Sequence, residues 1–189
     1  MSESTQLHMR RPTLDGLPSL EIPDGFALRD ATVADLSALA VLLAAAFPEL
    51  DWPESKAHSQ LFADLTVKKV LVIYEAESGK LAATAAARLL PEKYPNAGYV
   101  HWVGADPALR GRGLGRLVSL AVLHAFREMG CTSSVLDTDD FRLPAIKTYL
   151  ALGFSPEPLD PSHEARWAAL DGSFAKSRAA RPLGPSRFP

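Results

Sequence analysis

The stretch Arg110-Gly111-Arg112-Gly113-Leu114-Gly115-Arg116 constrains the fold of this chain more than any other. Before it, Tyr99 to Ala105 reads as a strand. After it, Leu114, Leu117, Val118, Ala121, Ala125 and Met129 recur at helical spacing. A strand, a glycine-dense turn and a helix start together form an anion cradle. The first N–H groups of a helix have no intrahelical partner, and the helix dipole adds partial positive charge there. Glycine lets the backbone approach a phosphate and adopt a positive φ without a Cβ clash. Arg110, Arg112 and Arg116 add fixed charge suited to phosphate oxygens. The stretch predicts a pyrophosphate-binding turn; the bland alternative is a glycine-rich connection with solvated arginines.

Spacing narrows the ligand. Gly111, Gly113 and Gly115 fall at every second position, which is not the G-x-G-x-x-G of dinucleotide sites, and the G-x-x-x-x-G-K-[ST] of P-loops is absent. Arg110, Gly113 and Gly115 do fill the R/Q-x-x-G-x-G/A signature, and the segment resembles that of the GNAT-type N-acetyltransferases. Ala105 to Arg110 resembles the V-x-P-x-x-R that precedes it, with Ala105 in the valine position. A second block, Ala145 to Phe154, resembles the superfamily's A-x-x-x-Y-x-x-x-G-F segment. It also reads as a helix in its own right, with Ile146, Tyr149 and Leu150 at helical intervals and Gly153 at the C-cap position. The two blocks, in this order and separated by a helix and a strand, are far more specific than either alone.

The chain has 189 residues, enough for one domain with a sizeable core, and 47% of them are hydrophobic. A formal net charge of −2 argues against a general nucleic-acid binder. The longest apolar run, Ala38 to Phe47, is too short to span a bilayer. The single cysteine, Cys131, excludes an internal disulfide, and with no secretory h-region it points to a cytoplasmic protein.

In chain order, residues 1–24 hold three prolines and little periodicity, which predicts an extended or partly disordered leader. A single domain is expected over residues 25–170, and residues 171–189 are expected to form a flexible tail. Phe26 to Asp30 reads as a strand, and Thr32 with Asp35 as a capping box before a helix that ends at Pro48. Glu49, Asp51 and Glu54 surround Trp52 in the next loop, which either attracts a cationic amine or is an ordinary acidic surface. Lys69 to Glu75 and Leu81 to Leu90 read as a hairpin around Gly79. Ser133 to Thr138 is another strand, ending in Asp137-Thr138-Asp139-Asp140, where helix capping is favoured over a metal site. Pro156, Pro158 and Pro161 leave only short pairing pieces after Phe154.

The resemblance implies a mixed α/β (α+β) fold, a twisted, mostly antiparallel sheet with helices on both faces. Its one parallel neighbour pair would join the strand before the glycine turn to the strand that follows the helix. The implied co-substrate is acetyl-CoA, its pyrophosphate held by Arg110, Gly111, Arg112, Gly113, Leu114, Gly115 and Arg116. Its pantetheine arm would pair with backbone near Val103 and Ala105. Arg142 stands where the superfamily often carries a cofactor-contacting asparagine, and an arginine there can reach a phosphate. Period-two alternation puts Tyr99, His101, Val103 and Ala105 on one face. His101 is then the candidate general base, with Glu75 and water-mediated routes as rivals, and Tyr99 could orient the acceptor. Tyr149 is the implied acid for the leaving thiolate. The expected reaction is direct acetyl transfer to a primary amine of a small molecule or peptide, with no metal. The alternative is a non-catalytic acyl-CoA-binding module. Oligomeric state is left open, a homodimer included.

Overall fold

A computed structural model describes residues 6–179, the backbone alone for 171–179. Seven strands form one sheet: β1 (Leu7–Arg11), β2 (Phe26–Asp30), β3 (Val67–Glu75), β4 (Leu81–Leu89), β5 (Ala97–Ala105), β6 (Ser133–Thr138) and β7 (Ser155–Pro156). Their order is β2-β3-β4-β5-β6-β1-β7, and only β5 and β6 run parallel. Five helices accompany them: α1 (Leu36–Ala46), α2 (Glu54–Leu61), α3 (Leu114–Glu128), α4 (Leu143–Ala151) and α5 (Pro161–Ala179). The expected mixed, mostly antiparallel architecture is the observed one.

The sheet separates two cores. On one face α1 and α2 bury Leu39, Leu43, Phe47 and Leu61 against Val70, Val72 and Ala86. On the other, Leu120, Leu123 and Phe126 of α3 meet Val100, Ala83 and Leu136, with Trp167 and Leu170 of α5 closing the edge. The alanine-rich β4 lies inside the sheet between β3 and β5, with Ala82 to Ala87 fully buried. Small side chains on both faces let helices approach closely, so packing overrides weak β-propensity. Both glycine-capped helices end alike. Cys131 donates to Phe126 O and Gly130 to Arg127 O; Phe154 donates to Tyr149 O and Gly153 to Leu150 O. Each is the paired closure of a Schellman motif, with Gly130 at φ +82° and Gly153 at φ +82°.

Two expectations about the ends need correction. The leader contains β1, which pairs antiparallel with β6 from Leu7–Thr138 to Arg11–Ser134 and with β7 on its other side. Leu7 and Met9 are fully buried. Arg11 donates to Leu152 O at the end of α4, tying the strand to that helix. At the other end α5 continues to Ala179, past the boundary expected at residue 170, and residues 180–189 of the expected tail lie outside the described residues.

A third correction concerns β5. Thr84 faces Gly104 and Ala86 faces His101, so β5 carries one residue more than β4 over this interval. Trp102 adopts φ +46°, a conformation uncommon for a bulky residue. This bulge reverses the alternation. Tyr99 and His101 point to the α1 face, while Val103 and Ala105 pack with the α3 core. The four side chains do not share one face.

Candidate active site

The strand pair β5–β6 opens where the glycine turn begins. Pairing runs only from Ala97–Ser133 to Tyr99–Val135, although β5 continues to Ala105 and β6 to Thr138. Beyond Tyr99 the β6-facing edge of β5 is unpaired and borders two cavities. One, of about 350 Å³, is lined by Val103, Gly104 and Ala105 of β5, by Arg110, Gly111 and Gly113 to Arg116 of the turn, and by Thr148 and Tyr149 of α4. The turn has the geometry an anion cradle needs. Gly111 sits at φ +87° and Gly113 at φ +73°, the latter as the N-cap of α3. Nothing lies within 4 Å of where a Cβ would stand on either. The first-turn N–H groups of Leu114, Gly115 and Arg116 have no intrahelical acceptor and face the same space.

The second cavity, of about 450 Å³, shares Val103, Arg142, Ala145 and Tyr149 with the first. Its floor is Tyr99 to Val103, and its walls are Phe47, Glu49, Asp137, Asp139 and Phe141. Neighbouring rings run along this face of the sheet: His8–Tyr94 at 5.4 Å, Tyr94–Tyr99 at 6.1 Å, Tyr99–His101 at 5.7 Å and His101–Trp102 at 5.1 Å. Trp52 and Phe47 continue it against Trp102 at 4.6 and 5.5 Å.

The titratable groups of this cavity are mostly paired. Tyr99 Oη donates to Asp137 Oδ2 at 2.9 Å, and Asp137 Oδ1 lies 2.5 Å from His8 Nδ1. Burial pushes the Asp137 carboxyl up, but bonds from His8 and Tyr99 hold it below its ordinary value overall. Burial, then the Asp137 charge, pushes the Tyr99 hydroxyl well up. His101 is different: its Nε2 is buried with no partner among the described residues. Burial, then the Arg88 charge, brings its imidazole down to about 4. Tyr149, buried apart from its edge on the cavities, is pushed up to about 12 by desolvation against the opposing pull of Arg142. Arg142 is itself pinned by Glu49 and, through Nε at 3.1 Å, by Asp139, with its guanidinium 4.4 Å from the Phe47 ring centre.

A profile of the acetyltransferase (GNAT) family matches residues 36–154, which include both cavities' walls apart from Gln6. The chain belongs to this family. It is 37% identical over 164 residues to the mycothiol acetyltransferase of Nocardia farcinica, covering 80% of this chain and 52% of that protein. The mycothiol acetyltransferase of Thermomonospora curvata is 31% identical over 166 residues, 84% of this chain and 54% of that one. The chain thus spans about half the length of these curated relatives. The GCN5-related N-acetyltransferase of Sphaerobacter thermophilus superposes with a TM-score of 0.64 at 21% identity, over 82% of this chain and 50% of that structure, a likeness of fold.

Within this GNAT domain the structure brings most of the sequence-derived site residues together. Val103, Ala105, Arg110, Gly111, Gly113, Leu114, Gly115, Arg116 and Arg142 all line the glycine-turn cavity. Arg112 does not; its guanidinium lies 5.7 Å from the Phe26 ring centre. His101 lines the second cavity, and Tyr149 stands at the seam of the two. Glu75, the rival base, accepts from Ser78 in the β3–β4 hairpin and borders neither cavity. Of the carboxylates near Trp52, only Glu49 reaches a cavity wall, and Trp52 is buried in the α1–α2 core. Asp139 and Asp140 are held by Arg142 and Arg166. Among the described residues no group of three or more His, Cys, Asp or Glu is placed to hold a metal ion, and no helix is long and apolar enough to cross a membrane. Sequence reasoning missed His8 and the role of Asp137. The available signal was the location of Asp137 at the carboxyl end of β6, where open α/β sheets bind ligands.

Proposed function

We propose that this chain transfers an acetyl group from acetyl-CoA to a primary amine by direct attack. The observation that carries the reading is the opening of β5 from β6 beyond Tyr99, with a phosphate cradle on one side, a polar cavity on the other and Tyr149 between them. The backbone N–H groups of the turn would hold the pyrophosphate, with Arg110 and Arg116 beside it, and the unpaired edge of β5 near Val103 and Ala105 would pair with the pantetheine amides. The acyl group would then lie at the seam. The amine enters from the second cavity and its nitrogen attacks the thioester carbon. A β5 backbone N–H stabilises the oxyanion. As the carbon–sulfur bond breaks, Tyr149, kept protonated by burial, gives its proton to the departing thiolate. Arg142, held by Glu49 and Asp139, braces the wall common to both ligands.

The acceptor cavity, with its ring-lined floor, and the mycothiol acetyltransferases among the relatives favour a small-molecule amine. The lone free Cys131 suits a reducing cytoplasm. Calorimetric titration tests the cradle: acetyl-CoA should bind with a micromolar Kd, about −8 kcal/mol, and NAD should not. Release of free thiol with a panel of primary amines tests the chemistry. Binding without thiol release from any amine would replace the enzyme reading with that of a non-catalytic acyl-CoA module.

A further inference from the structure

We propose that the proton lost by the amine passes through the Tyr99 hydroxyl to Asp137, and that His8 on β1 is the positioning residue that holds this carboxylate in place. The inference rests on the acetyl-transfer reading above and names the base that the reading needs.

Tyr99 and Asp137 both line the acceptor cavity, and the hydroxyl donates to Asp137 Oδ2 at 2.9 Å. With its own hydrogen committed to the carboxylate, the Tyr99 oxygen presents its lone pairs to an incoming ammonium. The step balances on these atoms. An ammonium N–H bond breaks and an O–H bond forms on Tyr99; the original Tyr99 O–H bond breaks and the proton arrives on Asp137 Oδ2. The freed lone pair on nitrogen attacks the thioester. When the amide leaves, Asp137 returns its proton through Tyr99 to water in the cavity.

The second oxygen of Asp137 is fixed from behind. His8 Nδ1 lies 2.5 Å from Oδ1, and the ring is 1% exposed. Alternation along β1 sends Leu7 and Met9 into the α3 core, so His8 faces the opposite side, beneath the acceptor cavity. Its Nε2 lies 3.2 Å from Glu157 Oε2, and Glu157 accepts from Arg10 Nε at 2.9 Å. The Tyr94 ring stacks on the imidazole at 5.4 Å, with Lys93 Nζ 4.9 Å from that ring's centre. Arg88 on β4, opposite Tyr99, and the His101 ring, 5.7 Å from that of Tyr99, face the pair as well. The bond to Asp137 and the stacked Tyr94 ring hold the imidazole in place, although Nε2 makes no hydrogen bond among the described residues, so Oδ2 stays aimed at Tyr99.

His101 is the competing base. Its imidazole, brought down to about 4, is neutral near pH 7 and holds an added proton weakly. Asp137, itself held below its ordinary value, binds a proton no more tightly, so geometry separates the two: Tyr99 Oη is bonded to Asp137, whereas His101 Nε2 has no partner among the described residues to relay a proton.

The test compares thiol release by wild type, Asp137→Asn, Tyr99→Phe, His8→Leu, His8→Asn and His101→Gln from near-neutral pH to about pH 9.5, with an acceptor amine of pKa about 8, which arrives largely unprotonated at the alkaline end. Loss of a proton acceptor should lower kcat/KM for the amine about 100-fold near neutrality. That deficit should shrink to less than about 10-fold at the alkaline end, where there is less proton to remove. Asp137→Asn, Tyr99→Phe and His8→Leu should share this pH-dependent loss while binding acetyl-CoA like wild type. His8→Asn, which keeps an N–H donor near Nδ1, should recover much of it. A deficit equal at all pH values, or full activity in Asp137→Asn or Tyr99→Phe, overturns the proposal. So does a pH-dependent loss confined to His101→Gln. If Asp137→Asn does not fold, Tyr99→Phe, which removes one hydroxyl, decides alone. Wild type that binds acetyl-CoA yet acetylates no amine removes the acetyl-transfer reading, and this inference with it; normal wild-type turnover with a pH-flat deficit removes only this one.

Discussion

Tyr149 holds a hydroxyl at the seam of two cavities, where desolvation keeps it protonated and the ring packs edge-on to Phe154 at 6.0 Å. Tyr149→Phe should therefore lower thiol release about 100-fold and leave the calorimetric affinity for acetyl-CoA unchanged; equal loss of both would make the residue a packing element. His101 leads to a stability prediction. Its folded value of about 4 lies below the ordinary 6.5, so between these pH values the unfolded chain binds more protons. The native state is fully favoured above about 6.5 and loses stability as pH falls toward 4, by at most about 3 kcal/mol from this group. His101→Gln should flatten that acid limb, read from urea midpoints at about pH 4.5 and 7. At this scale the glycine turn and Tyr149 were legible because their spacing is local. Asp137 and His8 were not, since their function arises from a contact across 129 positions. Nor did Arg142 announce its tie to Glu49, 93 residues away.

Helix α3 is set against β5 by the absence of a side chain. A Cβ on Gly98 would stand 2.1 Å from the Phe126 ring, which is fully buried and has no room to yield. Gly98→Ala should cost about 1–3 kcal/mol, seen as a lower melting temperature, whereas no change would mean that α3 can slide along the sheet. The periodicity of α1 and α3 and the glycine stops of α3 and α4 could be read from sequence, because helix amphipathicity and capping are properties of neighbouring residues. The bulge at Trp102 could not. A bulky residue with positive φ has no sequence marker, and it turned Val103 and Ala105 away from the face occupied by His101. β1 carried a weak sign, Leu7 and Met9 alternating around His8. Five residues ahead of a proline-rich segment provide too short a period to separate a strand from an extended arm.

The sheet as a whole depends on that short strand. β1 fills the space between β6 and β7, supplies two fully buried side chains and brings His8 beneath the acceptor cavity. Leu7 and Met9 contribute roughly 1.5–3 kcal/mol each by burial, a large share of a typical margin of about 5–15 kcal/mol. A chain lacking residues 1–12 should lose its cooperative urea transition; a retained transition with an unchanged midpoint would show that β6 tolerates an open edge. The placement of β1 also has a consequence in time. His8 emerges from the ribosome 129 residues before Asp137, the partner it will hold. At about 5–20 residues per second the interval is on the order of ten seconds, during which the strand has no neighbour to pair with. Until then β2 to β5 can already associate, so the antiparallel half of the sheet can form before β6 and β1 join it.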